Sequence, residues 1–131
     1  MDCPVCKKPM VVLEFKGVEL DFCLDCQGCW LDHGELGLIS GTAGDELTIE
    51  NPARGARRCP RCHQRMSTGR LPGTPVTVDV CSDHRHGMWL DRGELQAVVE
   101  SRAGAGASSA LAGFCADVFG KQNNVQTRQN T

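Results

Sequence analysis

The chain has 131 residues, 40% of them hydrophobic, with four Phe, two Trp, no Tyr and a formal net charge of -2. That acid balance argues against a general nucleic-acid binder, and no apolar run approaches the ~20 residues that cross a bilayer as a helix. So few large side chains cannot hold units of about 40 residues together without a metal, disulfides or a partner.

The first ligand-type pair is Cys3-Pro4-x-Cys6, with Met10 shortly after it. Segments 11–15 and 18–22 then alternate apolar and polar residues on either side of Lys16-Gly17, which predicts a β-hairpin with a tight turn. Cys23-x-x-Cys26 follows, and then Trp30-Leu31-Asp32-x-Gly34-Glu35-Leu36. Asp32 and Glu35 have the spacing of an N-cap and its reciprocal glutamate, while Leu31 and Leu36 fit a hydrophobic staple, so the segment predicts a short capped helix. This reading makes Asp32 and Glu35 structural rather than acid/base groups.

Residues 41–57 read as a linker, with Gly and Ala recurring and Pro52 within it, and only 46–50 suited to a short extended piece. On that reading the flanking modules tumble partly independently.

Residues 58–100 then repeat residues 1–40. Cys59-Pro60-x-Cys62 precedes Met66, Val76-x-Val78-x-Val80 leads into Cys81-x-x-His84, and Trp89-Leu90-Asp91-x-Gly93-Glu94-Leu95 predicts a second capped helix. Pro72-Gly73 favours a type II turn before the strand, and the strand near Met66–Leu71 has the weaker pattern. The offset between copies grows from 56 residues at the first cysteine to 59 at the tryptophan, so they differ by small loop insertions. In residues 101–131, Ser101–Ser108 is low in complexity, and Leu111, Phe114, Cys115 and Val118 mark one face of a short amphipathic helix over 109–119. The last stretch, Lys121–Thr131, is polar and reads as unstructured.

Each copy brings together two pairs of soft ligands, the spacing of a structural zinc site. Site 1 takes Cys3, Cys6, Cys23 and Cys26. Cys29 creates a rival pair with Cys26, but aligning the repeats sets it opposite Met88, so it reads as a small buried hydrophobe. Site 2 takes Cys59, Cys62, Cys81 and a histidine; the spacing of the pair favours His84, with His86 the alternative because this repeat has one residue more between Cys81 and Trp89. His33 and His63 read as surface residues. Trp30 and Trp89 read as the apolar covers of the two sites. The odd count of nine cysteines, their paired spacing and an opening of Met1-Asp2-Cys3 without a leader lead us to expect a reducing, cytoplasmic compartment.

The pattern Cys-Pro-x-Cys, hairpin, Asp-x-Cys-x-x-Cys, Trp-Leu-Asp-x-Gly-Glu-Leu resembles the prokaryotic zinc-ribbon family named after transcription factor IIB, over about 1–40 and 58–100. The resemblance implies zinc at Cys3, Cys6, Cys23 and Cys26, and again at Cys59, Cys62, Cys81 and a histidine. The second copy departs from the pattern by replacing the fourth cysteine and adding a residue.

The expected fold is a small, metal-stabilised α+β chain of two tandem zinc ribbons, each a β-hairpin plus a short capped helix, with two Zn2+ per chain. Zinc held by four protein ligands leaves no position for a substrate, so the expected role is non-enzymatic, with no small-molecule substrate. A protein partner or self-association is the first expectation, using the hairpin faces and the helix around Phe114 and Val118. The rival is nucleic-acid binding in a transcription-linked role through Arg54, Arg57, Arg58, Arg61 and Arg65, in a stretch that with Arg70 holds six arginines and no acid. A thiol switch through Cys29 or Cys115 is the third reading.

Overall fold

The computed structural model describes residues 1–15, 17–36, 48–98 and 100–101. Its strands are β1 (Val11–Phe15), β2 (Val18–Phe22), β3 (Cys29–Asp32), β4 (Glu50–Arg58), β5 (Arg65–Arg70), β6 (Thr77–Val80) and β7 (Gly87–Leu90). They form one seven-stranded sheet in the order β1-β2-β3-β7-β6-β5-β4, with every neighbouring pair antiparallel. The ribbons are therefore β1-β2-β3 and β5-β6-β7, joined back to back through β3 and β7.

That join corrects the expectation of two modules tumbling apart. Cys29 pairs with Leu90, Trp30 with Trp89, Leu31 with Met88 and Asp32 with Gly87. One more bond, from the His33 amide to the His86 carbonyl at 3.0 Å, carries the pairing past the strand end. A two-stranded hairpin is marginal alone; side by side, the two ribbons share one sheet with two buried faces.

Strand alternation divides the side chains between those faces. On one, Val18, Leu20, Phe22, Cys29, Leu31, Val78, Val80, Met88 and Leu90 form a continuous apolar core, joined by Leu36, Leu95 and Val98 from the segments after β3 and β7. On the other, Trp30 and Trp89 lie in one cluster with Cys3, Cys23, Cys59, Cys81 and Met66. Both indoles are 0% exposed, so they are interior bodies rather than surface stacking platforms.

The linker reading of 41–57 also needs correction at its end. Glu50–Arg58 is a nine-residue strand that pairs along β5 with register shifts between Glu50 and Ala53 and between Arg54 and Arg58. Its pattern is mostly exposed, as suits an edge strand, and a composition of Pro, Gly and Arg gives no alternation to read. What sets it in place is tertiary: Arg57 reaches Asp91 at 2.5 and 2.7 Å, and Arg70 meets Glu50 at 2.7 Å.

A helical turn opens at Glu35 and another at Glu94, the second running through residues 94–98 and 100–101. In both, the glutamate accepts from the cap amide, Glu35 from Asp32 and Glu94 from Asp91, each at 2.6 Å. The aspartate side chains are also engaged elsewhere. Trp30 Nε1 donates to Asp32 and Trp89 Nε1 to Asp91, each at 3.1 Å, so each acid satisfies the only polar atom of a buried indole. The amphipathic segment 109–119 and the rest of the tail lie outside the described residues.

Candidate metal centres

Each copy begins with a tight knuckle. The Lys7 amide bonds the Cys3 carbonyl at 2.9 Å, and the His63 amide bonds the Cys59 carbonyl at 2.8 Å. Lys7 and His63 sit at positive φ (64° each), closing the turn so that amides point back at the first sulfur. Val5 and Cys6 donate to Cys3 Sγ at 3.3 Å, and Arg61 donates to Cys59 Sγ at 3.4 Å.

The hairpins return the chain to a second ligand pair beside the first. Cys3, Cys6, Cys23 and Cys26 form one group, and Cys59, Cys62, Cys81 and His86 form another, with the donor atoms of each group all within 4.8 Å of one another. Cys3 Sγ stands 3.7 Å from Cys26 Sγ, and Cys62 Sγ 3.7 Å from Cys81 Sγ. Tetrahedral zinc with bonds of about 2.3 Å to sulfur sets its sulfurs about 3.8 Å apart. The donor set and its spacing fit two zinc ions, with four ligands at each.

His86, not His84, completes site 2. Its Nδ1 lies 3.7 Å from Cys59 Sγ and 3.8 Å from Cys81 Sγ, whereas His84 is exposed and stacks on the His86 ring with centroids 5.4 Å apart. The preference for His84 rested on the two-residue spacing of the pair, which the backbone of site 2 does not keep. In site 1 the Cys23 amide bonds the Gly28 carbonyl; in site 2 the Cys81 amide bonds the Gly87 carbonyl, one residue later. The extra residue, with Arg85 at a φ of 51°, carries the fourth ligand past the position of Cys26.

Cys29 lies outside both groups and packs in the apolar core at 4% exposure. None of the described cysteines forms a disulfide. Burial pushes the thiols of Cys6 and Cys26 up, and that of Cys59 up to about 12. At Cys23 and Cys81 burial also opposes ionisation, but backbone amides, from Cys26 and Asp25 in one case and His86 and His84 in the other, bring the net shift below the ordinary value. Zinc must therefore displace protons from the raised thiols as it binds.

The two centres are not insulated from one another. A Cβ on Gly28 would collide with the Trp89 indole, and a Cβ on Gly87 would meet the Leu31 carbonyl and, at 2.9 Å, the Trp30 indole. The tryptophan of each ribbon thus packs against the loop that carries the other's last ligand. Arg61, inside the first knuckle of ribbon 2, also bonds Asp32 of ribbon 1 at 2.9 Å.

Among the arginines of the basic stretch, Arg57 pairs with Asp91 and, at 3.5 Å, with Asp79, while Arg61 pairs with Asp32 and Arg70 with Glu50. Arg58 donates to the His63 carbonyl at 3.1 Å. Arg54 and Arg65 line a recess of about 340 Å3 together with Pro52, Gln64, Ser67 and Asp83. Composition missed these partnerships because the acids that neutralise the arginines lie 20 or more residues away from them. Phe114 and Val118 lie outside the described residues.

Among the described residues, no helix is long and apolar enough to cross a membrane. Comparison with curated proteins finds no match, and neither does comparison with solved structures. A family model described as a transcription factor zinc-finger, the zinc ribbon of the transcription factor IIB type, matches residues 2–39 and again residues 58–101. With both four-ligand clusters inside those segments, the chain belongs to the transcription factor IIB zinc-ribbon family, as a tandem member.

Proposed function

We propose that the chain is a non-enzymatic protein-interaction module whose zinc ions supply folding free energy rather than chemistry. With four ligands apiece, the centres keep no position for a reacting water. The observation that carries the choice of partner is the tip of ribbon 1. Val5 and Leu24, the residues inside its two knuckles, are 41% and 43% exposed, with Met1 at 45%. The matching knuckle positions of ribbon 2 are the polar Arg61 and Ser82. An apolar tip on one ribbon and a polar one on the other suit docking of a protein surface on ribbon 1.

The test is capture of binding proteins by the zinc-loaded chain, with and without nuclease, beside a Val5→Asp/Leu24→Asp variant that retains both zinc ions. Capture that survives nuclease and is lost in the variant supports the reading. Capture unchanged by the variant removes it.

Nucleic-acid binding by ribbon 2 is favoured by one observation, the recess flanked by Arg54 and Arg65. Against it, Arg57, Arg61 and Arg70 are already held by carboxylates, and the exposed large apolar residues among those described are Met1, Val5, Val12 and Leu24, none aromatic. Salt-sensitive binding of a DNA or RNA probe, weakened by Arg54→Ala/Arg65→Ala, would establish the second reading in place of the first.

A further inference from the structure

The sheet is symmetric about β3 and β7 except at its ends. In ribbon 2 the outer edge of β5 is covered by β4; in ribbon 1 the outer edge of β1 has no paired strand among the described residues. The registers make the two edges comparable residue by residue. Val12 pairs with Asp21 as Thr68 pairs with Asp79, and Glu14 pairs with Glu19 as Arg70 pairs with Thr77. Val12 therefore occupies the place of Thr68, and Glu14 that of Arg70.

The covered edge supplies a template for the open one. On β5, Ala53 of β4 stands opposite Thr68, and Glu50 stands opposite Arg70, to which it is ion-paired at 2.7 Å. Further along β4, Arg57 crosses to Asp79 and Asp91. Ribbon 1 keeps the same two acids, as Asp21 and Asp32, while its edge carries Glu14 where ribbon 2 has a cation, and Glu19 where it has Thr77. Val12, over the place that β4 covers in ribbon 2, is 59% exposed.

We infer that the outer edge of β1 accepts an extended, basic segment of a partner protein, which adds an eighth strand to the sheet as β4 adds the seventh. This deepens the interaction-module reading and rests on it. Main-chain bonds to an open edge supply affinity, and alternate side chains supply choice. Here the choice is a cation opposite Glu14 and beside Glu19, since Asp32 is already held within the chain by Arg61. The chain's own β4 sequence is disfavoured, because its Glu50 would stand opposite Glu14.

The probe is a nine-residue peptide of the β4 sequence, compared with the same peptide carrying Glu50→Lys, titrated into the zinc-loaded full chain and followed by amide chemical shifts. The Glu50→Lys peptide is expected to move the amides of 11–15 and to bind at least about threefold more tightly than the unaltered peptide. A Glu14→Lys chain that retains both zinc ions is expected to reverse that order. Shifts confined to β5 or the knuckles, equal binding of the two peptides, or an order unmoved by Glu14→Lys would overturn the inference. So would a dimer of the chain alone with the β1 amides protected, since a second copy would then be the occupant. Proteins captured through Val5 and Leu24 without any peptide effect at β1 would overturn this site while leaving the wider reading intact.

Discussion

Trp30 and Trp89 are paired across the β3–β7 join, and each indole packs against the glycine loop that carries the other ribbon's fourth ligand. A reciprocal arrangement of this kind makes each metal centre part of the other's packing. Losing one centre should therefore loosen both.

Gly28 and Gly87 are the positions where that coupling is most sharply set. A methyl at Gly87 would meet a backbone carbonyl, which cannot rotate away. Gly87→Ala is expected to cost about 2 kcal/mol or more of zinc-loaded stability, from overpacking. Thermal unfolding with a metal-binding dye should record a lower midpoint together with weaker zinc retention at both sites, not at site 2 alone.

The two histidines separate by metal content. His86→Ala should lose the zinc of site 2 and weaken the hold on the other, while His84→Ala should leave both in place, because His86 sits in the four-donor group and His84 lies outside it. Native mass spectrometry reads the difference directly.

Two arginines of similar sequence context should differ in energetic weight. Arg57→Ala leaves Asp79, whose side chain is 10% exposed, without its cation, at an expected cost of about 2 kcal/mol. Arg61 and Asp32 are 48% and 37% exposed, so Arg61→Ala should cost under about 1 kcal/mol and its effect should fade with salt. Denaturant titration at low and high salt tests both.

Burial pushes the carboxyls of both capping glutamates, Glu35 and Glu94, up to about 7 from 4.5, with neighbouring acids adding to the shift. A carboxyl raised in the folded state favours folding while protonated. That contribution is whole below 4.5 and is lost as the pH rises through about 7. Glu94→Gln keeps an oxygen for the Asp91 amide and removes the ionisation. The zinc-saturated variant should lose less stability between about pH 6 and about pH 8.5 than the parent, by a difference on the order of 1 kcal/mol.

Much of the local structure was legible because its signals are local. The alternation in Val11–Phe15 and Val18–Phe22 is that of β1 and β2, and the Asp-x-x-Glu spacing is that of the two caps. The cysteines of both clusters followed from paired spacing and repetition. Three features did not. The strand Glu50–Arg58 carries no alternation and owes its place to long-range ion pairs and to β5. The β3–β7 join depends on how two short apolar strands meet, and each reads equally well as the core of a separate ribbon. The choice of His86 depends on one inserted residue, whose effect on ligand direction is set by the loop's backbone rather than by residue spacing.

The most direct test of the account is a chelator titration of the zinc-loaded chain, with released zinc and circular dichroism recorded together. One sheet with reciprocal packing at its centre predicts two zinc ions per chain, released in a single cooperative step that coincides with loss of structure. Release in two separate steps, with half of the signal surviving the first, would contradict it and restore two independent ribbons.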